Sequence, residues 1–127
     1  MVVAETPREP AAHPRNVLVG HLVGLGAGLI GLLVTGLRSH TSAVQEGLTG
    51  HRLVAVCLAI GLTALLLQLI RCPHPPAEAT TLIVALGILR TTPQLRTMAL
   101  ALAVVGVAAV AAVVHLRTST STALREP

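Results

Sequence analysis

The densest group of residues able to do chemistry lies between positions 71 and 81. It combines two basic side chains, three prolines, a carboxylate and two hydroxyls: Arg71, Pro73, His74, Pro75, Pro76, Glu78, Thr80 and Thr81. Because the prolines exclude regular helix, a new helix can begin only after Pro76. Its first N–H groups would lack intrahelical acceptors and would carry partial positive charge. Together with Arg71, a protonated His74 and both threonine hydroxyls, this helix end is predicted to bind a small anion.

Glu78 lies in the first turn of that helix, and its negative charge counts against an anion site there. Its carboxylate can occupy the positive helix end itself and repel an anion. Three roles stay open for it. It pairs with an arginine such as Arg71 or Arg15, it titrates as part of proton coupling, or it abolishes the anion site.

A second polar group opens the first apolar run of the chain, where Arg15, Asn16 and His21 stand close together. Ionisable residues inside a membrane span are functional candidates by default. The alternative for His21 is an inward-facing histidine that only hydrogen-bonds a neighbouring helix. We expect Arg15, Asn16 and His21 to face the anion site.

Other kinds of site find no support in the residue pattern. The chain has no aspartate, no serine, histidine and acid arrangement, no phosphate-binding loop, and only two cysteines without paired spacing. We therefore predict no enzyme activity, no cofactor and no metal. The nine arginines are spread singly and no aromatic residue is available to stack on a base, so nucleic acid is not an expected partner.

Composition indicates an integral membrane protein. Hydrophobic residues make up 53% of the 127 residues, charged residues only 11%, and the mean hydropathy is +0.78. Three apolar runs are close to the length that crosses a bilayer, at residues 17–37, 53–70 and 97–116. The run at 77–89 is too short to cross comfortably and is predicted to be a broken half-helix after the proline break, an arrangement that transporters use. The alternative is a short span in a tilted bundle with a tight turn. The predicted fold is an all-α, polytopic membrane helix bundle.

Glycines at a spacing of four residues mark one face of the first span. Gly20, Gly24 and Gly28 leave that face without side chains, so another backbone can approach closely. The alternative is the general frequency of glycine in membrane helices. We expect a helix crossing at this face.

Two spaced motifs resemble the HPP family of small integral membrane proteins. The family is named for His-Pro-Pro, which stands here at His74, Pro75 and Pro76, and HPRNVLVGH at 13–21 resembles the family's entry into a span. The segment TPQLRTMALALAV resembles the start of the last span in bacterial members. The resemblance covers roughly residues 13–116. It implies a helical membrane bundle, and some members are associated with nitrite transport.

Two departures from the family pattern stand out. Position 78 is Glu where the family usually has Gly, which bears on close backbone approach by a substrate. Members also usually carry a further span before the Pro-Arg-Asn motif, and we expect that this span is missing here. The resemblance suggests two similar halves, so function would then require a homo-oligomer or a partner membrane subunit.

Together these observations predict a transporter-like protein for a small anion such as nitrite. The alternative is a non-transporting membrane subunit, or a truncated family member, acting through helix association at the glycine face. We expect a polar Pro-rich linker at 1–14, a transmembrane domain at 15–117 and a disordered tail at 118–127. The partners are the lipid bilayer and the anion, and the expected location is a bacterial inner or plasma membrane.

Overall fold

A computed structural model describes residues 13–123 of the chain, with side chains over 13–119. These residues form five α-helices: α1 (Pro14–Val34), α2 (Ala43–Glu46), α3 (Gly50–Leu69), α4 (Ala77–Ala85) and α5 (Thr92–Ala123), with a short 3-10 helix at Leu37–Ser39. Within this part of the chain no strand occurs. The predicted all-helical class is therefore confirmed, while the predicted linker lies almost entirely outside the described residues.

Three helices are long and apolar enough to cross a membrane: α1, α3 and the Thr92–Ser119 part of α5. The helix α1 begins at Pro14, three residues before the predicted span, because proline fits the first turn of a helix. It ends at Val34 rather than at residue 37. Gly36 takes a left-handed φ of 70°, which stops the helix, and the Thr35 hydroxyl donates to the Gly31 carbonyl (2.8 Å).

The connection between the first two predicted spans contains the one-turn helix α2 and the start of α3. The helix α3 begins at Gly50, where Thr49 caps it by accepting a hydrogen bond from the Arg52 N–H (3.3 Å). It ends in a Schellman motif, in which the Cys72 N–H reaches the Leu67 carbonyl (2.9 Å) and the Arg71 N–H reaches the Gln68 carbonyl (3.1 Å).

The half-helix α4 has nine residues and is shorter than the predicted 77–89. A second Schellman motif ends it, with the Gly87 N–H donating to the Val84 carbonyl and the Ile88 N–H to the Ile83 carbonyl. Gly87 supplies the left-handed φ of 75° that this motif requires. At about 1.5 Å per residue, α4 is roughly 14 Å long, which is too short to cross a bilayer.

The helix α5 is the longest element and continues to Ala123. A disordered tail is predicted from residue 118, whereas α5 includes residues 118–123. The hydroxyls of Thr118 and Ser119 donate to the His115 carbonyl (2.8 and 3.0 Å), so the polar residues take part in helical hydrogen bonding instead of ending it.

The helices pack around α1, which contacts α3, α4 and α5. The chain passes back and forth, so that one end of the bundle holds the start of α1 and the last part of α5, where Leu18 lies against Gly106. At the other end, Leu37 packs with Leu95, and the Ala43 N–H donates to the Leu86 carbonyl (2.9 Å). We call these the His13 end and the Leu37 end. The half-helix α4 runs between them beside α1.

Candidate functional site

Two histidines meet inside the bundle, where α1 passes the proline break before α4. Their Nε2 atoms lie 3.2 Å apart, and the rings meet edge to face with centroids 4.8 Å apart. His74 is 4% exposed and His21 is half-buried. His21 is seven residues beyond Pro14, which places it about 10 Å along α1. The pair therefore lies about a third of the way along this candidate membrane span rather than at its end.

Thr80 extends this pair into a chain of three polar groups. The His21 Nδ1 and the Thr80 hydroxyl oxygen are 2.7 Å apart, and Thr80 is buried in the first half of α4. A neutral imidazole has one N–H and one acceptor nitrogen, so one ring donates to the other between the two Nε2 atoms. The chain His74, His21 and Thr80 is thus suited to hold and relay one proton.

A second polar contact lies deeper in the bundle, between α3 and α4. Thr63 and Thr81 are both fully buried, and their hydroxyl oxygens are 2.8 Å apart. Each hydroxyl also approaches the carbonyl one turn earlier, that of Ala59 (2.9 Å) and that of Ala77 (3.1 Å). Thr81 therefore faces α3 and is held away from the histidine pair.

The glycine face of α1 is the wall against which α4 and His74 pack. A Cβ atom added to Gly20 would lie 2.7 Å from the His74 ring, and one added to Gly24 would lie 2.5 Å from the Ala77 carbonyl oxygen. At Gly28 it would meet Val84 at 2.7 Å. The close helix crossing thus occurs within the chain, and this face is covered rather than open to an external subunit.

The start of α4 differs from the anion-binding helix end predicted from the sequence. The N–H groups of Ala77, Glu78 and Ala79 donate to the carbonyls of His74, Pro75 and Pro76 at 3.0, 3.1 and 3.2 Å. The two consecutive prolines are part of a tight turn whose carbonyls serve as acceptors. The prediction of free first-turn N–H groups is therefore wrong for these three residues. An anion at this helix end would have to be bound by polar side chains instead.

Several predicted site residues lie apart from the histidine pair. Arg71 is exposed. Asn16 is buried, and its backbone carbonyl accepts a weak hydrogen bond from the Cys72 thiol (3.6 Å). Arg15 lines a cleft of about 600 Å³ between α1 and α5, together with Leu18 and Arg117. The structure thus brings together His21, His74 and Thr80, and it separates Arg15, Arg71 and Thr81 from them.

Glu78 is half-buried at the start of α4. One of its carboxylate oxygens is buried and accepts no hydrogen bond from the residues that the structure describes. The predicted pairing with Arg71 or Arg15 is therefore not formed at this oxygen. The other two roles, proton coupling and exclusion of anions, stay open.

Cys72 lies in the turn between α3 and α4, outside the spans. Burial raises the pKa of its thiol above the usual value, and the positive charge of Arg15 opposes this shift. A thiol with a raised pKa is a poor nucleophile and a poor metal ligand. Among residues 13–123 the structure also contains no group of three His, Cys, Asp or Glu side chains arranged to hold a metal ion.

Comparison with known proteins shows which family this arrangement belongs to. The family model for the HPP transmembrane region matches residues 1–123. The chain belongs to the HPP family. Two similar proteins from Dictyostelium discoideum are both named as transmembrane proteins: one is 31% identical over 88 residues (69% of this chain and 27% of the relative), the other 30% over 83 residues (65% and 24%). This HPP protein thus spans about a quarter of the length of these relatives. No solved structure matches it.

Two buried polar residues of the HPP protein lie outside its sequence motifs. Thr63 places a hydroxyl in the middle of the apolar run at 53–70, and Arg52 is 2% exposed at the start of α3. A polar residue in the middle of an apolar run signals an inward position, since lipid does not satisfy its hydrogen bonds. Thr63 carries this signal, whereas Arg52 directly precedes the apolar run, a position typical of an arginine at the membrane interface.

Proposed function

We propose that this HPP protein is a transporter-like membrane protein that binds a small anion such as nitrite at the His21 and His74 pair. The observation that carries the proposal is the 3.2 Å contact between the two Nε2 atoms, between a span and a broken helix. Ionisable side chains in such positions mark ion and proton pathways. Broken helices at membrane depth are where transporters place their binding sites.

The chemistry of the pair suits an anion that travels with a proton. When one extra proton is added, the two rings carry one positive charge in a site with little water. A nearby anion neutralises this charge and favours the protonated form, because opposite charges attract strongly where the dielectric constant is low. Thr80 contributes a hydroxyl that orients the His21 ring (2.7 Å). The pair therefore supports uptake of an anion and a proton together.

The test is nitrite uptake into proteoliposomes containing purified protein. We expect His74→Ala and His21→Ala each to lower the initial uptake rate about 10- to 100-fold, since each removes a hydrogen bond to a charged group. The matched control is His115→Ala, because His115 is exposed near the end of α5 and should leave uptake unchanged.

Correct insertion of each variant is checked by its elution as a single species in detergent. Uptake that is no greater than in empty liposomes, or that is unchanged in a folded His21→Ala, His74→Ala double variant, would refute the proposal. Equal losses in the His115 control would show that the histidine effect is not specific.

A further inference from the structure

A polar cavity lies at the Leu37 end of the bundle, beyond the C-terminal end of α4. Its volume is about 390 Å³. Hydroxyl, amide and guanidinium side chains line it beside Gly87. The lining includes Ser42, Gln45, Gly87, Arg90, Thr91 and Gln94. No carboxylate is among its lining residues. It therefore offers hydrogen-bond donors and positive charge without a competing acid.

Arg52 lies directly behind the Gly87 wall of this cavity. Its guanidinium is fixed by a hydrogen bond from Nη2 to the Thr41 carbonyl (2.6 Å). Its Nη1 sits 2.9 Å from the position a Gly87 Cβ would take, and it is buried without a hydrogen-bond partner in the described structure. A buried guanidinium needs a compensating anion, because an unpaired buried charge is costly.

Arg90 places a second guanidinium in the cavity lining itself. Its Nη1 is also buried and has no partner among the described residues. The start of α5 adds to the positive field: Gln94 Oε1 accepts from the N–H groups of Arg90 and Thr91 (3.3 and 3.2 Å), which places the positive end of a long helix at the cavity. One guanidinium nitrogen without a hydrogen-bond partner in the described structure thus belongs to a residue that lines the cavity, and a second lies behind its Gly87 wall.

From this geometry we propose a second anion site in the cavity, for a small monovalent oxyanion held by Arg90 and by the field of Arg52 through Gly87. A guanidinium group binds an oxyanion through two N–H groups, which suits Arg90 in the cavity lining, while Arg52 acts through its charge from behind Gly87. The inference rests on the proposed function, since it gives the half-helix α4 one anion site near each end.

The test is whether nitrite protects Arg90 from chemical modification. The measured quantity is the rate at which phenylglyoxal modifies each arginine in purified protein. At a nitrite concentration about ten times the dissociation constant, we expect modification of Arg90 to slow about tenfold, because only the free site reacts. Gluconate at equal ionic strength should give no protection. Arg96, an exposed arginine in the first turns of α5, is the internal control and should react equally in both salts.

Two variants separate this site from the histidine pair. His21→Ala should retain protection of Arg90, even though we expect it to lose uptake. Arg52→Gln should raise the nitrite concentration for half-protection about tenfold, since a charge-assisted contribution is removed. If Arg52→Gln does not fold, protection of Arg90 by nitrite in the unaltered protein decides whether the second site exists.

Absence of protection by nitrite in the unaltered, folded protein would overturn the second site. Protection of Arg90 in nanodiscs of anionic lipid, with none by free nitrite, would also overturn it and would identify a lipid phosphate as the occupant. Protection by nitrite without any histidine-dependent uptake would leave this site standing and refute the proposed transport.

Discussion

Arg71 is held in a backbone conformation that arginine rarely adopts. Its φ is 51°, in the left-handed region, and it occupies the position in the Schellman motif of α3 where glycine is usual. For a residue with a Cβ this conformation costs about 1 kcal/mol. The cost arises at a side chain that is exposed and lies apart from the histidine pair.

We therefore expect Arg71→Gly to raise the free energy of unfolding by about 1 kcal/mol. The measurement is unfolding by sodium dodecyl sulfate in mixed micelles, followed by circular dichroism. The comparison variant is Arg96→Gly, which places glycine inside α5 and should lower the free energy of unfolding by up to about 1 kcal/mol. Changes of the same sign in both variants would contradict this account of Arg71.

At the scale of elements, the glycine face of α1 sets how closely α4 can approach. Gly24 and Gly26 lie in the same helix, yet a Cβ at Gly24 would meet the Ala77 carbonyl oxygen at 2.5 Å, whereas a Cβ at Gly26 would meet nothing within 4 Å. Backbone atoms cannot move aside as a flexible side chain can. The two glycines therefore form a matched pair for testing the crossing.

We expect Gly24→Ala to lower the free energy of unfolding by about 1–3 kcal/mol, because it forces α1 and α4 apart. Gly26→Ala should leave the free energy of unfolding unchanged or raise it by up to about 1 kcal/mol, since alanine favours helix. Both values come from the same mixed-micelle titration. Equal effects of the two substitutions would mean that α4 does not pack on this face.

At the scale of the whole molecule, the chain crosses between two ends four times, although α4 is too short to span a bilayer. Arg15 and Arg117 line one cleft at the His13 end. At the Leu37 end, the Arg38 guanidinium donates to the Thr92 hydroxyl (3.2 Å). The start of α1 and the last part of α5 therefore lie on the same side of the membrane.

Accessibility of single cysteines to an impermeant maleimide tests this topology. In a background with Cys57 and Cys72 changed to alanine, we expect Ser39→Cys and Leu48→Cys to be labelled from the same side of the membrane, since both positions are exposed at the Leu37 end. Ser119→Cys should be labelled from the opposite side, because α5 returns to the His13 end. Labelling of Ser119→Cys from the side that reaches Ser39→Cys would contradict the four-pass path.

The length of the apolar runs and the proline breaks predict the class of fold and the helices, because both features act locally along the chain. The sequence also predicts His21, His74 and Thr80 as candidate site residues through their positions in a span and beside the prolines, and the structure brings these three together. Helix ends shifted by several residues, since capping by Gly36 and Gly87 depends on left-handed backbone conformations that composition does not specify.

Which polar groups meet depends on the packing of the helices. The prolines turn the chain so that the first N–H groups of α4 are already bonded, and the anion site predicted there gives way to a side-chain pair. Arg52 illustrates the same limit: beside an apolar run it looks like an interfacial arginine, yet the close approach of Gly87 buries it. Burial and pairing depend on neighbours distant in the chain, and one sequence without its fold does not reveal them.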